Sequence, residues 1–283
     1  MKNHEASLLQ PPSTSTYLLD NAAPQTHDRF DALSTLYDRE SLRHLEDRGI
    51  GPGWNCLEVG GGGGTIAAWL AARVGPTGHV LVTDLNPRFL DGSKFSNMEI
   101  RRHNIVTDPL PDAAFDLIHA RLVLSIIPEP EKVLTRLVAA LKPGGWLVEE
   151  EFDSQSLSYD PLQTPAEVHL KTQTAFSRLL DERGMDRRWG RLVHGRMRAL
   201  GLVDVGAEAS LSMCQGGSAG TSLKRANFEQ LRDALITSGY VTREELEHDI
   251  AKLDDPEFVT PSSIMWTTWG RRPAQPVRKP AKK

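Results

Sequence analysis

The chain has 283 residues and a formal net charge of −4, and its 25 % charged and 39 % hydrophobic residues are typical of a globular protein with one large or two small domains. This charge balance argues against a general nucleic-acid-binding surface. The two cysteines exclude a disulfide framework and a four-cysteine metal site. There is no run of about 18 apolar residues, so the sequence predicts neither a membrane span nor a secretory signal, and we expect a cytoplasmic protein.

Helical periodicity comes first along the chain, from Phe30 to Leu45, and predicts an N-terminal helical cap over residues 1–48. Strand-like and helix-like segments then alternate. The expected strands are 56–59, 79–83, 98–105, 115–120 and 146–150, with helices between them at 65–74 and 131–141. Strands separated by helices predict βαβ units and therefore a parallel sheet.

The second half of the chain is richer in helical patterns. We expect helices from Thr164 to Glu182 and from Arg187 to Leu200, and then a strand at 202–213. Asn227 and Thr242 each begin a capping-box pattern, which predicts two more helices before a last strand at 263–269. The predicted units are a core at 49–213, a helical lid insertion at 214–262, the last core strand at 263–270 and a basic flexible tail at 271–283.

Five consecutive glycines, residues 60–64, separate the first strand from the following helix. Such a run is costly in backbone entropy, and bare N–H groups at a strand-to-helix turn bind nucleotide groups. A P-loop is excluded because Thr65 and Ile66 follow, without the required lysine. Asp84 ends the second strand, where an acid accepts hydrogen bonds from ribose hydroxyls or simply caps a turn. Glu58 would repel a pyrophosphate, so it favours a cationic sulfonium nucleoside over a dinucleotide.

Four motifs together carry a family resemblance. They are Glu58-x-Gly60-x-Gly62-x-Gly64, Asp84, Phe115-Asp116-Leu117-Ile118 and Leu141-Lys142-Pro143-Gly144-Gly145. In this order they resemble the motifs of class I S-adenosylmethionine (SAM)-dependent methyltransferases of the ubiquinone/menaquinone-biosynthesis type, over roughly residues 50–153. The resemblance implies an α/β, Rossmann-like seven-stranded mixed sheet in the order 3-2-1-4-5-7-6 with an antiparallel last strand. It also implies SAM as cofactor, S-adenosylhomocysteine as product, and no metal.

The resemblance further implies roles for individual residues. Glu58 would lie behind the methionine amino group, Asp84 would bind the ribose, and Leu85 would pack on the adenine. Asn104 and Ile105 match a pair in which the family usually has an acid, and the Asn104 carbonyl would accept a hydrogen bond from the adenine amino group. The remaining expected cofactor contacts are Gly60, Gly61, Gly62, Ala120, Arg121 and Tyr17.

The candidate catalytic residues have simpler alternatives. His119, at the end of the fourth strand, is either a general base or a core histidine. Glu151, in the acidic run 149–153, either meets the substrate or belongs to a solvated charge run. Arg121 either clamps the SAM carboxylate or pairs with an acid, and Tyr17 either folds over the cofactor or anchors its segment. Ile126 and Ile127 stand where relatives often have a histidine.

The preferred function is methyl transfer to an O, N or C atom of a small molecule, such as a secondary metabolite in natural-product biosynthesis or a quinone. We expect a monomer or homodimer that acts on a small-molecule acceptor, without a nucleic-acid or membrane partner. An RNA or protein methyltransferase is the second hypothesis. The third is a SAM-binding protein that uses the fold without transferring a methyl group.

Overall fold

The computed structural model describes residues 19, 21, 23–156 and 166–274. The helices are α1 (Thr26–Asp47), α2 (Thr65–Val74), α3 (Pro130–Ala140), α4 (Ala166–Glu182), α5 (Trp189–Ala199), α6 (Ala219–Gln230), α7 (Arg232–Thr237) and α8 (Arg243–Lys252). The strands are β1 (Asn55–Val59), β2 (His79–Asp84), β3 (Met98–Arg102), β4 (Phe115–Arg121), β5 (Leu141–Asp153), β6 (Val203–Ser210), β7 (Met213–Gln215), β8 (Val259–Pro261) and β9 (Ile264–Arg271).

Seven strands form one sheet in the order β3-β2-β1-β4-β5-β9-β6. The first five pair in parallel, and β9 runs antiparallel to both β5 and β6. This order confirms the predicted Rossmann-like sheet, with β9 as its last strand. The parallel strands therefore bring their carboxyl ends to one edge, which is where sheets of this class bind their ligands.

Helices cover both faces of the sheet, so its central strands are buried on both sides. On one face, Leu45 of α1 and Leu70 of α2 pack against Val82 and Leu117. On the other face, α3 and α5 pack against Leu57, Ile118 and Leu147 in a second cluster. Cys56 is fully buried.

Several predicted boundaries are corrected. β3 ends at Arg102 rather than at residue 105, and the strand predicted at 202–213 ends at Ser210. The predicted flexible tail begins too early, because Arg271 belongs to β9. The Arg272 guanidinium donates a 2.8 Å hydrogen bond to the Ala139 carbonyl. Residues 275–283, and Thr164 as the predicted start of a helix, lie outside the described residues.

The insertion between β6 and β9 contains three helices rather than two, on a small sheet in which β7 pairs with β8. Thr242 forms the predicted capping box. Asn227 does not, because it lies inside α6, which already begins at Ala219. The insertion has its own apolar cluster, which includes Ala175 and Leu179 of α4, and α6 also packs along α1. None of the described helices is long and apolar enough to cross a membrane.

Candidate cofactor-binding site

The glycine run forms the turn between β1 and α2. Gly60, Gly62 and Gly64 have φ angles of +71°, +52° and +83°, in the region that favours glycine. The N–H groups of Gly60 and Gly61 donate hydrogen bonds of 2.8 and 3.1 Å to the Thr83 carbonyl. A Cβ on Gly60 would lie 2.5 Å from Val123 Cγ2. Side chains are therefore excluded from this turn by both backbone conformation and space.

Asp84 lies beside this turn at the end of β2, with 8 % of its surface exposed. Its Oδ2 accepts a 3.2 Å hydrogen bond from the Gly62 N–H, and its Oδ1 accepts a 2.8 Å bond from the Asn86 N–H. Burial raises the pKa of this carboxyl above its usual value. The neighbouring Leu85 is 59 % exposed, so its side chain is accessible to a flat apolar group. The structure thus brings together three of the predicted cofactor residues.

Helix α1, which belongs to the predicted N-terminal helical cap, covers the outer side of the glycine turn, and the sequence analysis did not predict the contact that Phe30 makes there. Phe30 lies so close that a Cβ on Gly62 or Gly63 would come within 3.4 or 3.2 Å of its side chain. The Phe30 ring also contacts the Phe89 ring edge to face, with 5.5 Å between centroids. An apolar residue at helical spacing carries no signal that distinguishes it from a core residue, so the sequence could not have identified Phe30.

Glu58 and His119 form a buried pair below the turn. Glu58 Oε2 lies 2.7 Å from His119 Nδ1, and His119 Nε2 lies 3.2 Å from Glu150 Oε2. Burial lowers the pKa of His119, but the charge of Glu58 and the hydrogen bonds to both carboxylates outweigh it and raise this pKa to about 9. A fully buried imidazole that is protonated at neutral pH has no lone pair for an incoming proton. This geometry argues against His119 as a general base.

Glu150 is the second acid of this group, and it also binds α1 and β9. Its oxygens accept hydrogen bonds of 2.5 Å from Ser41 Oγ and 2.7 Å from Thr267 Oγ1. Burial raises its pKa, but the bond to His119 and the charge of that residue dominate and lower it to about 2. Glu150 is therefore a buried carboxylate with several donors around it.

Of the two roles predicted for Arg121, the structure shows the second, which is pairing with an acid. Its guanidinium donates a 2.8 Å hydrogen bond to Asp38 Oδ1 and a 3.0 Å bond to Ser41 Oγ, both on α1. Pairing with an acid is thus the interaction that the structure shows. Together with Glu150, Arg121 ties α1 to the carboxyl ends of β4 and β5.

The acidic run at the end of β5 is not a solvated charge run. Glu149, Glu150, Glu151 and Asp153 are each at most 1 % exposed. Glu151 Oε1 accepts a 2.7 Å hydrogen bond from the Leu124 N–H, and its Oε2 accepts a 2.7 Å bond from Ser125 Oγ. These bonds fix the turn that follows β4, so the structure argues against an acceptor-facing role for Glu151.

Glu149 is the partner of Glu151 on this face of the sheet, and its Oε1 accepts a 3.0 Å hydrogen bond from Trp189 Nε1. Burial, followed by the charge of Glu151, raises the pKa of Glu149 well above its usual value. Burial also raises the pKa of Glu151, to about 7, against the hydrogen bonds from Ser125. The two acids therefore retain a proton at a pH where exposed carboxyls have lost theirs.

Of the remaining predicted contacts, Asn104, Ile105 and Ala120 have partners within the protein. The side-chain carbonyl of Asn104 accepts a 3.0 Å hydrogen bond from the Val106 N–H, so it already has a partner in its own loop. Ile105 and Ala120 are buried in the apolar cluster under α3 and α5, which leaves only their backbones for a ligand. Tyr17 lies outside the described residues.

The donors and acceptors present suit a cationic nucleoside. Glu58 Oε1 accepts no hydrogen bond from a described residue, although its carboxylate is only 4 % exposed. Asp84 supplies a second carboxylate beside the glycine turn. One acid near the turn and one at the end of β2 match the amino and ribose ends of SAM, so the site fits this cofactor.

This fold and site define the class I SAM-dependent methyltransferases, in which the nucleoside lies at the carboxyl edge of the sheet. The chain belongs to the methyltransferase domain family, whose model matches residues 26–199. SAM is the cofactor of this class.

Individual relatives cover part of the chain. It is 34 % identical over 126 residues to the ubiquinone/menaquinone biosynthesis C-methyltransferase UbiE of Vibrio campbellii, over 42 % of this chain and 48 % of the relative. It is 38 % identical over 128 residues to the methyltransferase str2 of Strobilurus tenacellus, over 44 % and 45 %. The chain thus spans about half the length of these curated relatives.

Among solved structures, the Haemonchus contortus phosphoethanolamine N-methyltransferase 2, in complex with phosphomonomethylethanolamine and S-adenosylhomocysteine, superposes with a TM-score of 0.57. The sequence identity is 15 %, and the match covers 94 % of this chain and 62 % of that one. This likeness shows that the two proteins share a fold.

Proposed function

We propose that this protein transfers a methyl group from SAM to an O, N or C atom of a small molecule. The observation that supports this most is the placement of Glu58, the glycine turn and Asp84 together at the carboxyl edge of the sheet, next to α1. The acceptor site that we propose lies at the same edge, between the cofactor residues and the insertion at 214–262, which acts as a lid.

A small acceptor is favoured over a macromolecule by charge and architecture. The net charge of −4 offers no general attraction for RNA, and an insertion packed on α1 and α4 narrows access to the edge. The relatives named above include a quinone C-methyltransferase. A role in quinone or natural-product chemistry, in the cytoplasm, as a monomer or homodimer, is part of this proposal.

Catalysis in this proposal depends on positioning rather than on a strong base. SAM supplies an activated methyl group with its own leaving group. Glu58 and Asp84 would hold the two ends of the cofactor, and Phe30 with α1 would keep water from the glycine turn. His119 and Glu151 are engaged in hydrogen bonds, so holding the acceptor in line with the methyl group accounts for most of the expected rate.

Labelled methyl transfer tests the proposal. The full chain is incubated with SAM carrying a radioactive methyl group and, separately, with a small-molecule extract, total RNA or a protein extract. Label in an organic-soluble small molecule, and its loss with Asp84→Ala, supports the proposal. Label in RNA or protein instead would replace it with the second hypothesis. Tight SAM binding without transfer to any fraction would favour a binding role.

A further inference from the structure

The buried histidine His119 has a place in the site that neither catalysis nor packing explains. Both of its ring nitrogens face carboxylates, Glu58 at 2.7 Å and Glu150 at 3.2 Å, and its side chain is 0 % exposed. An apolar residue would fill a core position between two strands at lower cost, since burying charged groups requires every partner to be satisfied. The chain therefore keeps an ionic group at the centre of its sheet.

The two carboxylates differ in how many donors they have. Glu150 also accepts hydrogen bonds from Ser41 and Thr267, so it is fixed by α1 and β9. Glu58 is held by His119 alone among the described residues, through Oε2. His119 thus connects the Glu150 carboxylate, which has a fixed position, to the Glu58 carboxylate, whose Oε1 accepts no hydrogen bond from a described residue.

We propose that His119 is a positioning residue for the cofactor, which holds the Glu58 carboxylate so that Oε1 stays available to the amino group of the SAM methionine moiety. The inference rests on the proposed cofactor role of Glu58. Without the imidazole, Glu58 would be free to rotate, and two buried carboxylates would repel each other across β4. The charged and polar groups that face His119 and its partners are Glu58 on β1, Arg121 on β4, Glu150 on β5, Thr267 on β9, and Asp38 and Ser41 on α1.

A double-mutant cycle separates positioning from a merely structural role. Calorimetry at pH 7.5 measures SAM affinity in the wild type, His119→Gln, Glu58→Gln and the double variant. In the wild type, we expect His119→Gln to weaken SAM binding by about tenfold or more. In the Glu58→Gln variant, the same substitution should weaken SAM binding by less than about twofold. Equal losses in both backgrounds would overturn the inference. His44→Gln is the matched control, because His44 on α1 is 2 % exposed and its ring packs on that of Trp269, and none of its described contacts is with Glu58.

Nitrogen-15 NMR of the wild type keeps the inference testable if His119→Gln does not fold. Binding and protonation are linked reciprocally, so an ammonium group that engages Glu58 must lower the pKa of His119. S-adenosylhomocysteine carries that group, whereas 5′-methylthioadenosine has the same nucleoside and lacks it. We expect the first ligand to shift the titration of His119 downward and the second to leave it in place. Equal effects of both ligands would overturn the inference, whereas a wild type that binds neither would overturn the proposed function itself.

Discussion

The backbone N–H of Gly62 donates a 3.2 Å hydrogen bond to Asp84 Oδ2, and this bond joins the glycine turn to the end of β2. The two residues come close because the glycine turn follows β1, Asp84 ends the neighbouring strand β2, and Val59 at the end of β1 lies opposite Thr83. A change at either residue is therefore expected to affect both the ribose end and the methionine end of the cofactor.

Replacing Asp84 by alanine is expected to weaken SAM binding by at least tenfold. The variant loses hydrogen bonds to a charged acceptor, each worth about 1.5–3 kcal/mol. Calorimetric titration measures the affinity, and circular dichroism checks the fold. Asp91→Ala is the control, since Asp91 is exposed on the loop after β2. Unchanged affinity in a folded Asp84→Ala protein would remove this residue from the site.

Valine at Gly62 is expected to abolish SAM binding more than it harms folding. Gly62 has a φ of +52°, and a Cβ there would point at Phe30, 3.4 Å from its ring. Gly75→Val is a matched control, because Gly75 has a φ of +65° but nothing within 4 Å of the added Cβ. Both variants should lose thermal stability, and only Gly62→Val should lose the cofactor. Normal SAM binding by Gly62→Val would mean that the glycines serve the turn alone.

Glutamine at Glu149 is expected to make stability less dependent on pH. An acid whose pKa is raised on folding binds its proton more tightly in the folded chain. The free energy of unfolding of the wild type therefore falls as the pH rises from 4.5, the ordinary pKa of a glutamate, through about 7, the pKa of Glu151 in the folded chain. Glu149→Gln keeps a neutral partner for Glu151 and Trp189. Its melting temperature should match the wild type at pH 5 and exceed it by roughly 2–4 °C at pH 9.

Thermal unfolding across this pH range measures the effect. The control is Glu99→Gln, whose parent side chain is 47 % exposed, and it should keep the wild-type slope. A Glu149→Gln protein with the same pH slope as the wild type would show that the two buried acids do not share a proton.

Truncation of the lid is expected to separate cofactor binding from turnover. Gln215 pairs with Val259, so an Asn-Gly turn can replace residues 216–258 and leave β7 and β8 as a hairpin. SAM affinity should stay within about tenfold, roughly 1.4 kcal/mol, since Glu58 and Asp84 remain. Turnover should fall much further, because the acceptor is no longer shielded or positioned.

Hydrogen exchange of the full chain checks the lid without truncation. Amides in 216–258 should gain protection when the acceptor found by the transfer assay joins S-adenosylhomocysteine, compared with S-adenosylhomocysteine alone. Equal protection in both states would mean that the insertion is a fixed cover.

The sequence predicted the sheet order and the glycine turn well, because both are carried by short motifs such as those at 57–65 and 141–145. The sequence did not predict hydrogen bonds between residues that are distant in the chain. His119 lies 61 and 31 residues from Glu58 and Glu150, so no local pattern could show that its two nitrogens are both occupied. The acidic run at 149–153 resembled a solvated face, but β5 lies between β4 and β9 with helices on both sides.

The helix starts in the insertion were partly wrong for a different reason, which is local ambiguity. Asn227 with Gln230 has the spacing of a capping box, yet a helix that begins at Ala219 absorbs both residues into its last turns. Thr242 has the same pattern and does begin a helix, because Gly239 before it, with a φ of +71°, interrupts the helical backbone.

Helix α1 touches the glycine turn through Phe30 at one point and packs along α6 of the insertion at another. In the proposed site, α1 would therefore contact both the turn that binds the nucleoside and the helix α6 of the proposed lid. If the proposed lid opens by an outward movement of α6, that movement would displace α1 and with it the Phe30 side chain on the turn. Binding and release of the cofactor and of the acceptor would then be coupled. We expect steady-state kinetics with a compulsory order, in which SAM binds first and S-adenosylhomocysteine leaves last.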